Sequence, residues 1–75
     1  MARIKVPTNP AERKAWLKYQ LELRGSSFAD IAREGNATRQ TVRKVLDIRY
    51  PKWERLIATK LGMAPADIWP ERYAA

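Results

Sequence analysis

Apolar residues recur every three or four positions along most of this 75-residue chain, which is the spacing of helices with one buried face. No segment alternates apolar and polar residues in the way of a half-buried strand. The pattern therefore predicts an all-α fold of four to five short helices around one core, with residues 1–75 forming a single domain. At the ends we expect a flexible basic arm over residues 1–8 and a loose tail over residues 71–75.

Capping residues mark where the first helix begins and ends. Asn9 followed by Pro10 predicts its start, and the helix should run to about Arg24. Its wide apolar face should be centred on Trp16, Tyr19 and Leu23 and flanked by Leu17 and Leu21.

Proline and glycine divide the second half of the chain into helices. Pro51 suits the first position of a helix that Gly62 ends, and Pro65 begins a short last helix that Pro70 terminates. The spacing of the aromatic residues favours core positions over a surface for stacking bases. The tryptophans placed in the core in this way are Trp16, Trp53 and Trp69.

Residues 28–46 (FADIAREGNATRQTVRKVL) have the pattern of a helix, a sharp turn and a basic second helix. Ser27 suits the cap of the first of these helices, and Thr38 suits the cap of the second. Ala32 is small, as the close crossing of two helices over a short turn requires. Gly35 and Asn36 supply the turn, and in the usual register Asn36 takes the positive φ. The sequence therefore predicts a helix-turn-helix unit.

The polar face of the second helix carries the chemistry of a DNA reader. Arginine can bind guanine bidentately, glutamine can do the same to adenine, and lysine adds charge. The candidates for base contact are Arg39, Gln40, Arg43 and Lys44. The candidates for DNA backbone contact, or for support of the base contacts, are Ser27, Arg33, Thr38, Asp47, Arg49 and Lys52. The same pattern also fits an ordinary solvent-exposed face.

The charge balance favours a polyanionic partner, and we expect double-stranded DNA. Fifteen Lys and Arg against eight Asp and Glu give a formal charge of +7, and seven basic against two acidic residues place +5 of it between residues 36 and 60. The chain has no Cys and no His, which are the residues that most often bind zinc and that form the commonest catalytic pairs of nucleophile and base. We therefore expect no metal, no cofactor, no small-molecule ligand and no enzymatic activity. Without a long apolar run we also expect no membrane partner and a cytoplasmic location.

A second signature lies in the C-terminal run of residues 68–73 (IWPERY). Together with the helix-turn-helix pattern, Ala15-Trp16 and Tyr50-Pro51-Lys52, it resembles the Ner family of small DNA-binding regulators from Mu-like phages and bacteria. The resemblance implies a λ-repressor-like fold and a repressor of early and transposition genes. The family usually has a bulky residue and then glycine in the turn, whereas this chain has Gly35-Asn36, which allows a turn shifted by one residue.

Two alternatives from other classes remain open. The first is an architectural or recombination accessory protein that bends DNA, for which Ile4, Val6 and Ile48 are the candidate wedges. The second is a helical adaptor that binds another protein. For a DNA reader, one recognition helix covers few base pairs, so we expect a homodimer on the operator.

Overall fold

Six α-helices make up most of the structure, a computed structural model that describes residues 6–73. They are α1 (Pro10–Leu23), α2 (Phe28–Glu34), α3 (Arg39–Arg43), α4 (Pro51–Leu61), α5 (Pro65–Ile68) and α6 (Pro70–Tyr73). A 3₁₀ turn over Lys44–Leu46 continues α3 directly. No strand occurs in residues 6–73, and the all-α prediction is confirmed. None of the helices found there is long and apolar enough to cross a membrane.

Side chains begin the first three helices as the sequence predicts. Asn9 accepts hydrogen bonds from the amides two and three residues further on, at 2.9 and 3.2 Å. Ser27 and Thr38 each accept from the amide three residues on, at 3.1 and 3.2 Å respectively. These bonds satisfy amides that have no partner within the helix, so the three starts are fixed by local sequence. Pro51 and Pro65 likewise begin α4 and α5 as predicted.

One core cluster holds the described helices together. The helices α1, α2, α4 and α5 each contribute at least one large side chain to it. The helix α3 and the 3₁₀ turn after it contribute one valine each. The buried apolar residues are Leu17, Leu21, Phe28, Ile31, Ala32, Val42, Val45, Trp53, Ile57, Ala58, Leu61, Ile68 and Trp69.

The prediction for the apolar face of α1 is wrong about the residues at the centre of that face. Leu17 and Leu21 are fully buried, whereas Tyr19 and Leu23 are 58% and 59% exposed. Trp16 is half-buried at the border and packs against the core. The helix touches the core along one narrow row at four-residue spacing, and residues beside that row turn away to solvent because each residue rotates the side chain by about 100°.

The expected N-terminal arm ends earlier than residue 8. Val6 and Pro7 are half-buried, and the Pro7 carbonyl accepts a hydrogen bond of 3.1 Å from Nε of Arg13. Residues 6 and 7 are therefore held against α1. Thr8 is exposed, and residues 1–5 of the predicted arm lie outside the described residues.

The expected loose tail also differs from the structure as far as Tyr73. Pro70 does not end the helical region but begins α6, and Trp69 just before it is fully buried. Glu71 forms a bidentate ion pair with the buried Arg13, with N–O distances of 2.6 and 3.0 Å. Aromatic burial and this ion pair dock the segment onto α1. Ala74 and Ala75 lie outside the described residues.

A buried carboxylate joins α6 to the start of α4. Glu54 is fully buried and accepts hydrogen bonds from the Tyr50 amide at 2.8 Å, from Arg72 Nη1 at 3.1 Å and from the Tyr73 hydroxyl. Burial raises the pKa of the Glu54 carboxyl, but the bonds from Tyr73, Tyr50 and Arg72 outweigh it, so that the pKa lies below the ordinary value of 4.5. The ionised form of Glu54 therefore stabilises the fold.

This linkage predicts a loss of stability in acid. Because the pKa of Glu54 is lower in the folded chain than in the unfolded one, its stabilisation is complete above the ordinary value of 4.5 and is lost as the pH falls through the folded pKa. Glu54→Gln should lower the free energy of unfolding at neutral pH by about 1–3 kcal/mol and flatten its decline in acid. Urea unfolding at about pH 7 and about pH 3 measures both effects.

The matched control for this experiment is Glu22→Gln. Glu22 is an exposed glutamate on α1 whose side chain has no hydrogen-bond or ion-pair partner in residues 6–73. This variant should keep the wild-type difference in stability between the two pH values. An equally steep acid decline in Glu54→Gln and in the wild type would contradict the assignment.

Candidate nucleic-acid interface

Four residues, 35–38, join α2 to α3 in a tight turn. Asn36 has a φ of 57°, and within residues 6–73 it is the only residue other than glycine with a positive φ. Behind it, the Ala37 amide donates to the Ala32 carbonyl at 2.8 Å, which closes the turn. Asn36 thus occupies the left-handed position that the usual helix-turn-helix register gives it, and the turn is not shifted.

Gly35 is required by close packing and not by its own backbone angles. A Cβ atom added to Gly35 would lie 2.4 Å from two ring atoms of Trp53, a distance that real Cβ contacts do not reach. The indole of Trp53 is buried and comes from α4, so α4 lies directly against the turn. The order Gly35-Asn36 therefore has a physical reason: the first residue makes room for Trp53 and the second makes the turn.

The helix α3 is anchored from behind and exposed in front. Val42 and the following Val45 are fully buried, which fixes how the helix is rotated. The four candidates for base contact all lie exposed on α3 and its 3₁₀ continuation, and within residues 6–73 none of their side chains has a hydrogen-bond or ion-pair partner. These four residues, which we call the reading face, are Arg39, Gln40, Arg43 and Lys44.

The second helix is shorter than the sequence predicts. Regular α-helix ends at Arg43, and Lys44–Leu46 form a 3₁₀ turn in which the Asp47 amide donates to the Lys44 carbonyl at 3.0 Å. A 3₁₀ turn has about three residues per turn and is common at helix ends. Lys44 and Asp47 therefore lie above one another instead of continuing the α-helical spiral. They stand at the end of the recognition unit, which we define as residues 28–47.

Two of the predicted backbone candidates act as helix caps. Ser27 is half-buried, and its hydroxyl caps α2, while Thr38 is exposed and caps α3. Asp47 is exposed, and its carboxylate has no hydrogen-bond or ion-pair partner in the described part of the chain. Arg33 is exposed and pairs with Asp30 one turn earlier on α2.

The remaining two backbone candidates are held by contacts within the protein. Lys52 Nζ lies 4.8 Å from the centre of the Trp53 ring and 3.4 Å from the Gly35 carbonyl oxygen. Arg49 donates to the Arg72 carbonyl at 3.3 Å, and its guanidinium carbon lies 4.9 Å from the centre of the Tyr73 ring.

Sequence reasoning missed the partners of Arg49. Tyr73 and Arg72 fall in the segment for which a loose tail is predicted, and contacts of α6 with Glu54 and Arg13 hold them near Arg49. The IWPERY run was a usable signal, since it marks this segment as part of the resemblance. Its structural meaning depends on contacts between residues 18 to 58 positions apart.

The reading face is chemically suited to base edges. It offers two guanidinium groups, one amide and one ammonium on α3 and its 3₁₀ continuation, and none of these groups has a hydrogen-bond or ion-pair partner in residues 6–73. Arginine and glutamine can each make two parallel hydrogen bonds to a purine, and the major groove admits an α-helix. A helix-turn-helix DNA-binding protein is the class that this fold and surface define.

Comparison with known proteins agrees with this class and narrows it. Residues 13–75 match a protein family described as "Winged helix-turn-helix DNA-binding". A relative in Escherichia phage D108, named "Negative regulator of transcription", is 46% identical over 60 residues, which cover 80% of this chain and 82% of the relative. The "Mu-like prophage FluMu DNA-binding protein Ner" of Haemophilus influenzae is 36% identical over 77 residues, which cover 99% of this chain and 86% of the relative.

A third relative, "Sugar fermentation stimulation protein B" of Escherichia coli, is 38% identical over 53 residues, which cover 71% of this chain and 58% of the relative. The chain belongs to the Ner-like family of small helix-turn-helix DNA-binding regulators. The family description includes a wing, an element built from strands, and residues 6–73 contain no strand.

Packing at the turn generates a prediction. Gly35→Ala should lower the free energy of unfolding by about 1–3 kcal/mol, because the new methyl group forces the buried Trp53 ring to move. The two ring atoms concerned lie on the far edge of the indole, which phenylalanine does not reach. The cost of Gly35→Ala should therefore be smaller in a Trp53→Phe background, as measured by urea unfolding of the four chains of this double-mutant cycle. Equal costs in both backgrounds would show that the clash is not with Trp53.

Proposed function

We propose that this protein is a sequence-specific repressor that binds an operator in double-stranded DNA and shuts down early and transposition genes of a Mu-like phage or prophage. The observation that carries the proposal is the reading face, whose polar groups are exposed and lack partners in residues 6–73 while the helix behind them is locked by buried valines. The name of the phage D108 relative supports the regulatory role, and the name of the Haemophilus relative supports DNA binding. Such a role needs no catalytic step and no cofactor, and it belongs in the bacterial cytoplasm.

In the proposed complex α3 enters the major groove. Arg39, Gln40 and Arg43 contact base edges, and Lys44 at the end of the recognition unit adds a contact to guanine or to a nearby phosphate. Asp47 follows Lys44 by one turn of the 3₁₀ segment, and we propose that its carboxylate adjusts the Lys44 contact once DNA is bound. Sequence preference then comes from the two arginines and the glutamine, because these side chains make paired hydrogen bonds that a wrong base cannot match.

Contacts to the DNA backbone flank the reading face in this proposal. The α2 cap Ser27 and the α3 cap Thr38 lie at helix starts, where backbone amides and the helix dipole favour a phosphate. Arg33, Arg49 and Lys52 add positive charge beside them. These contacts set the register of the protein on DNA without reading sequence.

Two protomers on one operator give the specificity that one short helix cannot. A single recognition helix reads only a few base pairs, so a homodimer on half-sites about one helical turn apart is the arrangement we propose. Repression then follows from occupancy of promoter DNA.

Selection of binding sites from a randomised duplex pool tests the proposal, at about 150 mM salt so that weak electrostatic binding is screened. A repeated half-site motif is the expected result. Binding without any motif would favour an architectural protein. A complete failure to bind duplex DNA would overturn the proposal and favour the protein adaptor.

Single substitutions should separate base from backbone contacts. Arg43→Ala should weaken binding to the selected site by about 1–3 kcal/mol and relax the sequence preference, because its loss removes a base contact. Lys52→Ala should weaken selected and random duplexes alike. Titrations of both duplexes measure the difference, with Lys18→Ala on α1 as a control for the loss of one positive charge. Equal losses on both duplexes for Arg43→Ala would contradict the assignment.

One observation favours the DNA-bending alternative as a second candidate. Ile48 is 53% exposed just after the recognition unit, whereas Val6 packs against the core and Ile4 lies outside the described residues. An exposed isoleucine next to DNA can wedge between base pairs and bend the duplex by about 20–90°. Energy transfer between dyes at the two ends of the duplex measures the bend. A bend that shrinks in Ile48→Ser supports this candidate, and an unbent wild-type complex excludes it.

A further inference from the structure

The C-terminal helix α6 contacts the loop that follows the recognition unit, and it does so through Arg49. The Arg49 guanidinium donates to the Arg72 carbonyl and stacks on the Tyr73 ring, at the distances given above. Arg49 is exposed and comes two residues after Asp47, the last residue of that unit. An exposed arginine normally samples many rotamers, and here two contacts from α6 hold it.

The residues that hold Arg49 are themselves anchored in the core. The Tyr73 hydroxyl and Arg72 Nη1 both donate to the fully buried Glu54. The same carboxylate accepts from the amide of Tyr50, the chain neighbour of Arg49. The Tyr50 backbone and, through Tyr73, the Arg49 side chain therefore both depend on the Glu54 carboxylate for their positions.

The helix α6 also lies close to the end of the recognition unit. Pro70, Glu71 and Arg72 line a cavity together with Leu46 and Asp47. The bidentate ion pair with Arg13 fixes Glu71 in this cavity wall. Contacts with Arg13 and with Glu54 together therefore determine the position of α6 relative to the recognition unit.

We propose that α6 is a positioning element for DNA binding: Tyr73 and the Arg72 carbonyl hold the guanidinium of Arg49 beside the end of the recognition unit, where it binds a DNA phosphate. The inference rests on the proposed function. A guanidinium has five N–H donors. The Arg72 carbonyl accepts from Nη1 of Arg49, and the Tyr73 ring lies against one flat face of the guanidinium, where no N–H points. The remaining donors stay available, and a side chain that is already held loses less conformational entropy on binding. Tyr73 acts through Arg49 and does not itself contact DNA.

The test compares Tyr73→Leu, Arg49→Ala and the double variant in operator binding over a range of salt concentrations. Tyr73→Leu should weaken binding roughly two- to fivefold, the size of a cation-π contact at an exposed site. It should also make the fall of log K for operator binding with log salt less steep, toward the slope of Arg49→Ala, which lacks about one phosphate contact. In the Arg49→Ala background the Tyr73→Leu change should have no further effect, because the residue it positions is gone.

Two further variants separate positioning from general stability. Tyr73→Phe keeps the ring under Arg49 and removes the bond to Glu54, so it should keep more of the affinity than Tyr73→Leu. Tyr19→Leu, at an exposed tyrosine on α1, should bind like the wild type. Equal weakening by Tyr73→Leu with and without Arg49, at an unchanged salt slope, would show a merely structural role and overturn the inference.

The same titrations distinguish failure of the inference from failure of the proposed function. If the wild type binds a selected operator and Arg43→Ala weakens that binding, the repressor proposal stands whatever Tyr73→Leu does. An unchanged affinity and salt slope in Tyr73→Leu then overturns the positioning role alone. A wild type that binds no duplex overturns both.

Discussion

The contact between Trp53 and Gly35 is the constraint on which the arrangement of the recognition unit depends. The indole comes from α4 and fills the space where any other residue at position 35 would carry its Cβ atom. Because the indole fits into this space, α4 packs directly against the turn between α2 and α3. The left-handed Asn36 next to it completes the turn, and the buried Val42 then fixes how α3 is rotated. The direction in which α3 presents its polar side chains follows from these packing contacts and not from those side chains themselves.

The basic side chains of the reading face have no partners within residues 6–73, whereas most basic side chains elsewhere in that range have at least one. Arg13, Arg33, Lys60 and Arg72 each lie within ion-pair distance of a carboxylate. Arg49 and Lys52 are occupied by aromatic rings and backbone carbonyls. Across the described residues the basic side chains thus divide into those with contacts inside the fold and those without, and the reading face belongs to the second kind. Net charge alone does not reveal this division, because it counts both kinds equally.

Features fixed by neighbouring residues could be predicted from the sequence. The caps Asn9, Ser27 and Thr38 and the left-handed Asn36 depend on steric and hydrogen-bonding rules that act over a few residues, and each is found as predicted. The base and backbone contacts predicted for the reading face and its flanks stay predictions, since they concern a DNA partner.

Features fixed by distant residues were not predictable in the same way. Tyr19 and Leu23 are as apolar as many core residues, and only the placement of the other helices decides that α1 buries Leu17 and Leu21 instead. Similarly, the docking of α6 depends on an ion pair between residues 58 positions apart, which no local pattern encodes.

The ion pair between Arg13 and Glu71 also has a consequence for the timing of folding during synthesis. At about 5–20 residues per second, a ribosome takes about 3–12 seconds to add Glu71 after Arg13. For that interval the guanidinium destined for the interior lacks its carboxylate and the core lacks Trp69, so the nascent chain must remain soluble with an incomplete interior.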